Sequence, residues 1–451
     1  MPHPDPHTNR YLLVSVFIFG TILLYLTTHR PQLATLRPPT TPPGPLRSSS
    51  KPSIPLQRPL VSSQIIKHRI VAIGDIHGDY TALTKILRKA ELIDLKGGWI
   101  GNETILVQTG DIVDRGKDTI ACYKFMQTLR GDAEKKGGTV VSLLGNHEIM
   151  NALGDWRYVN PQDIASFGGE RNRREALLTG WIGQEWRSNY SITARVPYLS
   201  HTFPSTSTLT TFPLTPKGSS DRRFISEPTP FQDEEGSSFR NQAISFVHGG
   251  ITPEYLETLS RPQSPISEIN RIGHEIMQSL LENPAAPMSL PRGATMEQRL
   301  FWSEKGVMWN REWAMLEERE ICDRVERACE MMRVKRLVMG HTPHFEGILS
   351  RCRGKVLLID TGISKAYGGS HSYLEILHTL TPASLLSYEQ LSELGSDDER
   401  MVLGQEVSED EWIEEELITA QYEESGNGGE DRGRREEVLV RDKRRIRISP
   451  E

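Results

Sequence analysis

The chain has 451 residues, of which 37% are hydrophobic, a formal net charge of −6 and four cysteines. That length allows one large domain or two ordinary ones, and the low hydrophobic share places part of the chain outside any core. The small acidic balance lacks the basic footprint of a nucleic-acid binder; Cys122, Cys322, Cys329 and Cys352 are too few and too scattered for a disulfide framework or a thiolate metal site and are read as buried free thiols.

After a short tail at 1–10 comes an apolar run from Tyr11 to Thr28, YLLVSVFIFGTILLYLTT, bounded by Arg10 and His29-Arg30. It is close to the ~20 residues that cross a bilayer. The expectation is a single-pass transmembrane anchor rather than a cleaved signal peptide, because no small-x-small cleavage site follows. Its facing stays open. Arg30, Arg37 and Arg47 favour a cytosolic C-terminal bulk. A short tail before a large domain, with sequons at Asn102 and Asn189, suits a protein of the secretory pathway instead. Residues 29–66 form a Pro/Ser/Thr-rich linker, RPPTTPPGP at its centre, of the kind that stays extended.

From 67 to 392 short β-branched runs alternate with helix-like stretches, which predicts an α/β domain. Arg69 to Ile73 reads as a buried strand and Thr81 to Ala90 as a helix. Thr104 to Gln108, Thr139 to Leu144, Ala243 to Val247, Leu337 to Met339 and Val356 to Ile359 read as further strands, with Tyr373 to Leu377 and Ala383 to Tyr388 as a closing pair. A Ser/Thr/Pro-rich surface insertion is expected at 203–238. Residues 393–451, first acidic (SEDEWIEEEL) and then basic (RDKRRIRISP), are expected to form a disordered tail open to regulatory contacts.

The polar residues lie where the strands stop. The first strand runs into Gly74-Asp75-Ile76-His77-Gly78-Asp79 and the second into Gly110-Asp111-Ile112-Val113-Asp114-Arg115-Gly116. The next three run into Gly145-Asn146-His147-Glu148, His248-Gly249-Gly250 and Gly340-His341-Thr342-Pro343. Ligands of open α/β sheets gather beyond the carboxyl ends of strands, so these clusters can converge. Imidazoles, carboxylates and one amide, with no thiolate, suit Mn, Fe or Zn. Asp75 and His77 can face one ion, Asp111 can offer an oxygen to each of two, and Asn146, His248 and His341 can complete the second. Two such ions acidify a shared water and clamp the oxygens of an in-line displacement at phosphorus.

In order and spacing these motifs resemble the phosphoprotein-phosphatase type of the calcineurin-like metallophosphoesterase superfamily. The stretch from Gly340 to Pro343, followed by Leu358 to Gly369, is similar to the bacterial-type, Shewanella-like protein phosphatases. The resemblance implies a metallophosphoesterase sandwich of two mixed β-sheets flanked by helices. It implies two divalent or trivalent metal ions, the first on Asp75, His77 and Asp111, the second on Asp111, Asn146, His248 and His341. It makes His147 the general acid with Asp114 orienting its ring, and Arg115 and Arg311 the phosphate-binding arginines. Asp360 is expected to hydrogen-bond a ligand histidine. The expected reaction is phosphomonoester hydrolysis by a metal-bridged hydroxide, on a phosphorylated protein (Ser/Thr or Tyr) or a small phosphoester. A diadenosine-polyphosphate or other nucleotide hydrolase is the alternative among enzymes, and an inactive membrane-anchored scaffold the alternative of another class. Trp302, Trp309 and Trp313 are read as packing around the site.

Overall fold

The computed structural model describes residues 65–198, 243–282, 288–392, 411–425 and 431–447. The expected anchor at 11–28, nearly all of the linker and the insertion at 203–238 lie outside them. No helix among the described residues is long and apolar enough to cross a membrane.

Strands are numbered along the chain. β1 (Ile66–Ile73), β2 (Ile105–Gln108), β3 (Thr139–Leu143), β4 (Tyr190–Ser191), β10 (Ser372–Pro382), β11 (Glu411–Ser425) and β12 (Asp431–Arg447) build a seven-stranded sheet, ordered β12-β11-β10-β1-β2-β3-β4. β5 (Thr193–Pro197), β6 (Ala243–Val247), β7 (Arg336–Met339), β8 (Leu349–Arg351) and β9 (Val356–Leu358) build a five-stranded one, ordered β5-β6-β7-β9-β8. β1 to β4 run parallel, as do β6, β7 and β9, while the flanking strands pair antiparallel. Both sheets are therefore mixed.

The two-residue period of a strand divides each run between two cores. Ile70 and Ala72 of β1, with Ile105 and Val107 of β2, face Val196, Phe246, Val338 and Leu357 of the other sheet in a dry layer between the sheets. Val71, Ile73 and Leu106 point the other way, into a larger core roofed by helices. Each buried Val, Leu, Ile or Phe among them contributes about 1.5–3 kcal/mol. The helix Tyr80–Lys89 shows how the roof is seeded. Asp79 caps its first turn by accepting from the Ala82 N–H at 2.9 Å, and Leu83, Ile86 and Leu87 form its buried face.

Three expectations are corrected. Tyr373 to Leu377 belongs to β10, which pairs with β1 and β11, whereas Ala383–Leu385 is a 3-10 turn and Tyr388–Ser392 a helix, so these two runs do not pair. Most of the expected disordered tail is a long β-hairpin, β11 with β12, continuing the first sheet. Its inward set of Ile418, Ala420 and Tyr422 extends the layer between the sheets, which supplies the burial that a charged composition seemed to lack. Cys322 and Cys352 are joined in a disulfide, while Cys122 and Cys329 are buried free thiols.

Candidate active site

The carboxyl ends of β1, β2, β3, β6 and β7 deliver their polar residues to one place. Close approach of the loops demands glycine there. A Cβ on Gly145 would sit 2.0 Å from Asp111 Oδ1, and one on Gly340 would sit 2.3 Å from Asp75 Oδ1. His77, Asp111, Asp114, Arg115 and His341 all adopt positive φ, between 46° and 72°. Non-glycine residues hold that conformation only where their surroundings over-determine it, and such strain gathers at working sites.

Glu148 supplies much of that restraint. Its carboxylate accepts from the Gly145 N–H at 2.7 Å, the Asp111 and Ile112 N–H groups at 2.9 Å and the Tyr123 hydroxyl at 2.8 Å. It thus fastens the loop after β3 to the loop after β2. Within the Gly145-Asn146-His147-Glu148 motif Glu148 had no expected task, although its place two residues after Asn146 on a helix start was a usable signal.

Asp111 lies at the centre. Its Oδ2 is 3.3 Å from His248 Nε2, 3.7 Å from His77 Nε2 and 3.8 Å from His147 Nε2. On one side His77 Nε2 approaches Asp75 Oδ2 at 3.9 Å. On the other, His248 Nε2 lies 2.8 Å from Asn146 Oδ1 and 3.1 Å from His341 Nδ1. All of these residues are buried. The outer nitrogens of His77 and His248 are held by backbone: Nδ1 donates to the Val113 carbonyl at 2.9 Å in the first and to the Thr109 carbonyl at 2.9 Å in the second. That fixes the tautomer and leaves each Nε2 lone pair aimed inward.

Burial, with Asp360 and Asp111 nearby, pushes the Asp75 carboxyl well up. Burial and the neighbouring His147 take the His77 imidazole down to about 4. Burial and His248 push His341 well down. Burial would also raise Asp111, but His248, His147 and His77 hold it well below the usual carboxylate range. Neutral imidazoles, carboxylates and an amide, packed without their own countercharge, are a donor set that cations would satisfy; the residues fit two metal ions sharing Asp111.

His147 is placed differently. Its Nδ1 is 2.7 Å from Asp114 Oδ2, so only Nε2 faces the cluster. Asp114 is itself held by the Asn151 side-chain N–H at 2.9 Å and by Arg173 at 3.4 Å. Arg115 lies beside this end: its guanidinium stacks 4.1 Å from the Tyr158 ring and 5.2 Å from the Tyr367 ring, which in turn lie 5.1 Å from the His147 ring and 5.4 Å from the His77 ring. Arg311 lies at the other end, donating to the His341 carbonyl at 2.9 Å and to Thr342 Oγ1 at 3.0 Å. Two arginines thus flank the metal-binding cluster.

Asp360 does not take its expected partner. Its Oδ1 accepts from the Gly362 N–H at 2.9 Å, and backbone carbonyls hold the outer nitrogens of His77 and His248 instead. Burial raises Asp360 to about 6, although the Gly362 N–H opposes the shift. Trp313 is buried in the helix-roofed core, with Trp302 and Trp309 packed against it; the Trp309 ring comes within 5.7 Å of the His341 ring. Tyr158, Tyr367, Asn151 and Arg173 were not anticipated. Asn151 carried a signal, lying one helical turn after His147, and Tyr367 stood inside the stretch from Leu358 to Gly369 already singled out.

Among known proteins, the Calcineurin-like phosphoesterase family matches residues 68–345. An uncharacterized protein of Schizosaccharomyces pombe is 34% identical over 313 residues, 68% of this chain and 76% of that protein. Shewanella-like protein phosphatase 2 of Arabidopsis thaliana is 28% identical over 66% of this chain and 72% of its own length. Shewanella-like protein phosphatase 1 of Plasmodium berghei is 30% identical over 68% and 71%. The chain therefore belongs to the calcineurin-like phosphoesterase family, as a phosphoric monoester hydrolase related to the Shewanella-like protein phosphatases.

Proposed function

We propose that the chain is a protein phosphatase whose substrate phosphate is held between Arg115 and Arg311, over two metal ions. Asp75, His77 and Asp111 would hold the first ion, and Asp111, Asn146, His248 and His341 the second. Bound there, such ions lower the pKa of water and neutralise charge on the phosphoryl oxygens.

The chain's own residues do the rest. The Arg115 guanidinium, held against the Tyr158 and Tyr367 rings, presents its planar fork to two phosphoryl oxygens. Arg311, anchored on the His341 carbonyl, contacts the phosphate from the other end. His147 gives its Nε2 proton to the departing oxygen, while Asp114 accepts the Nδ1 N–H and keeps the ring in that tautomer. The carrying observation is the position of Asp111 Oδ2, within 3.8 Å of the Nε2 atoms of His248, His77 and His147.

The reading is tested with purified full-length protein, a panel of phosphoserine, phosphothreonine and phosphotyrosine peptides, and dinucleoside polyphosphates. Release of phosphate from peptides with added Mn²⁺, abolished by chelator, is the expected result. Turnover of dinucleoside polyphosphates alone would move the assignment to nucleotide hydrolysis, and no turnover of any phosphoester would leave a scaffold. The Tyr11 to Thr28 segment would tether the enzyme to a membrane of the secretory pathway, a reading that rests on its apolar length.

A further inference from the structure

Behind the His147–Asp114 pair lies a buried polar chain to which neither the motifs nor the proposed reaction assigns a task. Arg173 sits on the helix Glu170–Leu178 and is fully buried, as are Asp114 and Asp163. Its donors are spread over three acceptors: Nη2 to Asp114 Oδ1 at 3.4 Å, Nη1 to Asn151 Oδ1 at 2.7 Å and Nε to Asp163 Oδ2 at 2.9 Å. Asn151 completes the ring by donating to Asp114 Oδ1 at 2.9 Å. Asp163 Oδ1 in turn accepts from the Thr119 N–H at 3.2 Å, at the start of the helix Thr119–Lys135. The Trp156 ring covers the guanidinium at 4.8 Å.

We propose that Arg173 is a positioning residue for proton transfer, holding Asp114 in the one orientation from which Oδ2 receives the His147 Nδ1 N–H. The inference rests on the reading of His147 as the general acid. Burying a guanidinium is costly unless its charge and donors are matched, and a helix that needed only packing there would be served by Leu or Met. Here the planar fork is matched to two carboxylates and an amide, and one of those carboxylates is the sole side chain at hydrogen-bonding distance from His147 Nδ1 among the described residues. Asp114 also needs outside restraint. It and Arg115 have φ of 72° and 62°, and the turn they make is tied to the same stretch of chain: the Arg115 N–H donates to the Tyr158 carbonyl and the Asn160 side chain to the Arg115 carbonyl. With Arg173 lost, one oxygen of Asp114 keeps only Asn151. The carboxylate can then rotate away from His147, and the imidazole is no longer aimed at the departing oxygen.

The test compares Arg173→Met with wild type in full-length, Mn²⁺-loaded protein, on aryl phosphates of rising leaving-group pKa. A misaimed acid hurts poor leaving groups and spares good ones that depart unaided. The expected result is a kcat loss of about 10- to 100-fold on phenyl phosphate, close to none on dinitrophenyl phosphate, and unchanged KM and metal content. If the lone substitution fails to fold because Asp163 is left unpaired, Arg173→Met with Asp163→Asn removes both charges while keeping the acceptor for Thr119, and the same selectivity is expected. An equal loss on both substrates, or a loss confined to thermal stability, would overturn the proposal. His147→Ala is run alongside. If it shows the leaving-group selectivity and the Arg173 variants do not, the positioning role alone fails; if it too is indifferent, the general-acid reading fails and takes the positioning role with it.

Discussion

Nδ1 of His147 lies 2.7 Å from Oδ2 of Asp114, which leaves the opposite ring nitrogen, Nε2, facing Asp111 at 3.8 Å. Burial alone would make this imidazole harder to protonate, yet Asp111 and Asp114 together raise it above its ordinary value. With Nδ1 held by Asp114, the ring is set to offer Nε2 to a departing oxygen. His147→Ala is therefore expected to lower kcat by about 10²- to 10³-fold with both metal ions still bound. Steady-state kinetics and metal analysis on the same preparation check this. Full-rate turnover of a substrate with a poor leaving group, such as phenyl phosphate, would remove the role.

Asp111→Asn should act on the metals instead. Among the described residues the carboxylate is the group shared by both halves of the cluster, and its Oδ1 additionally accepts the His147 backbone N–H at 2.9 Å. An amide offers a single oxygen without charge, so both metals are expected to be lost together, with activity following. Stoichiometry by elemental analysis should drop from two toward zero. Selective loss of one ion would show that Asp111 is not shared.

The site was far easier to read in the sequence than the periphery of the fold, for a physical reason. Asp75, Asp111, Asn146, His248 and His341 each follow an apolar run and sit beside a glycine, so strand, turn and donor are announced within a few residues. The hairpin of β11 and β12 gave no such local notice. Its inward positions include Glu414 and Glu416 among Trp412, Ile418, Ala420 and Tyr422, so the alternation reads as an acidic run. Those glutamates are tolerable inside only because Arg336, Lys335, His378 and Arg444 meet them, and most of those partners are dozens of residues away. Cys322 and Cys352 were invisible as a pair for a similar reason: the turn after β8 has to be folded against the helix Glu318–Met332 before the thiols meet.

That disulfide carries its own prediction. It closes a loop with a sequence separation of 30, which in chain-entropy terms is worth about 3–4 kcal/mol. Cys352→Ser, or reduction of the folded protein, is expected to lower the melting temperature by several degrees. Arg351 also ties this turn down by donating to the carbonyls of Trp313, Ala314 and Leu316, so activity well below the melting temperature should persist. A melting temperature indifferent to reductant would contradict the linkage.

The hairpin should loosen in acid in part through Glu416. Glu416 projects inward from β11 to meet Arg336 of β7, Nε to Oε1 at 3.0 Å and Nη2 to Oε2 at 2.6 Å, with Lys335 Nζ at 2.6 Å. Burial works to raise this carboxyl, but Arg336 and Lys335 outweigh it and bring it down to about 2, from an ordinary value of 4.5. Because the folded value lies below the unfolded one, the stabilisation is fully present above about 4.5 and is lost as the pH falls through about 2. The difference corresponds to about 3 kcal/mol. Other carboxylates titrate in the same range, so the measurement is a comparison. Urea midpoints of wild type and Glu416→Gln are followed from pH 5.5 to 2.5, and the wild-type advantage should shrink as pH drops. Arg336→Met at neutral pH should cost about 3 kcal/mol, since Glu416 stays charged and buried with Lys335 as its remaining cationic partner. If Glu416→Gln and wild type lose stability in parallel across that range, this ion pair is not what fastens the hairpin to the second sheet, and the apolar set of Ile418, Ala420 and Tyr422, with the Lys335–Asp442 pair, is left to do so.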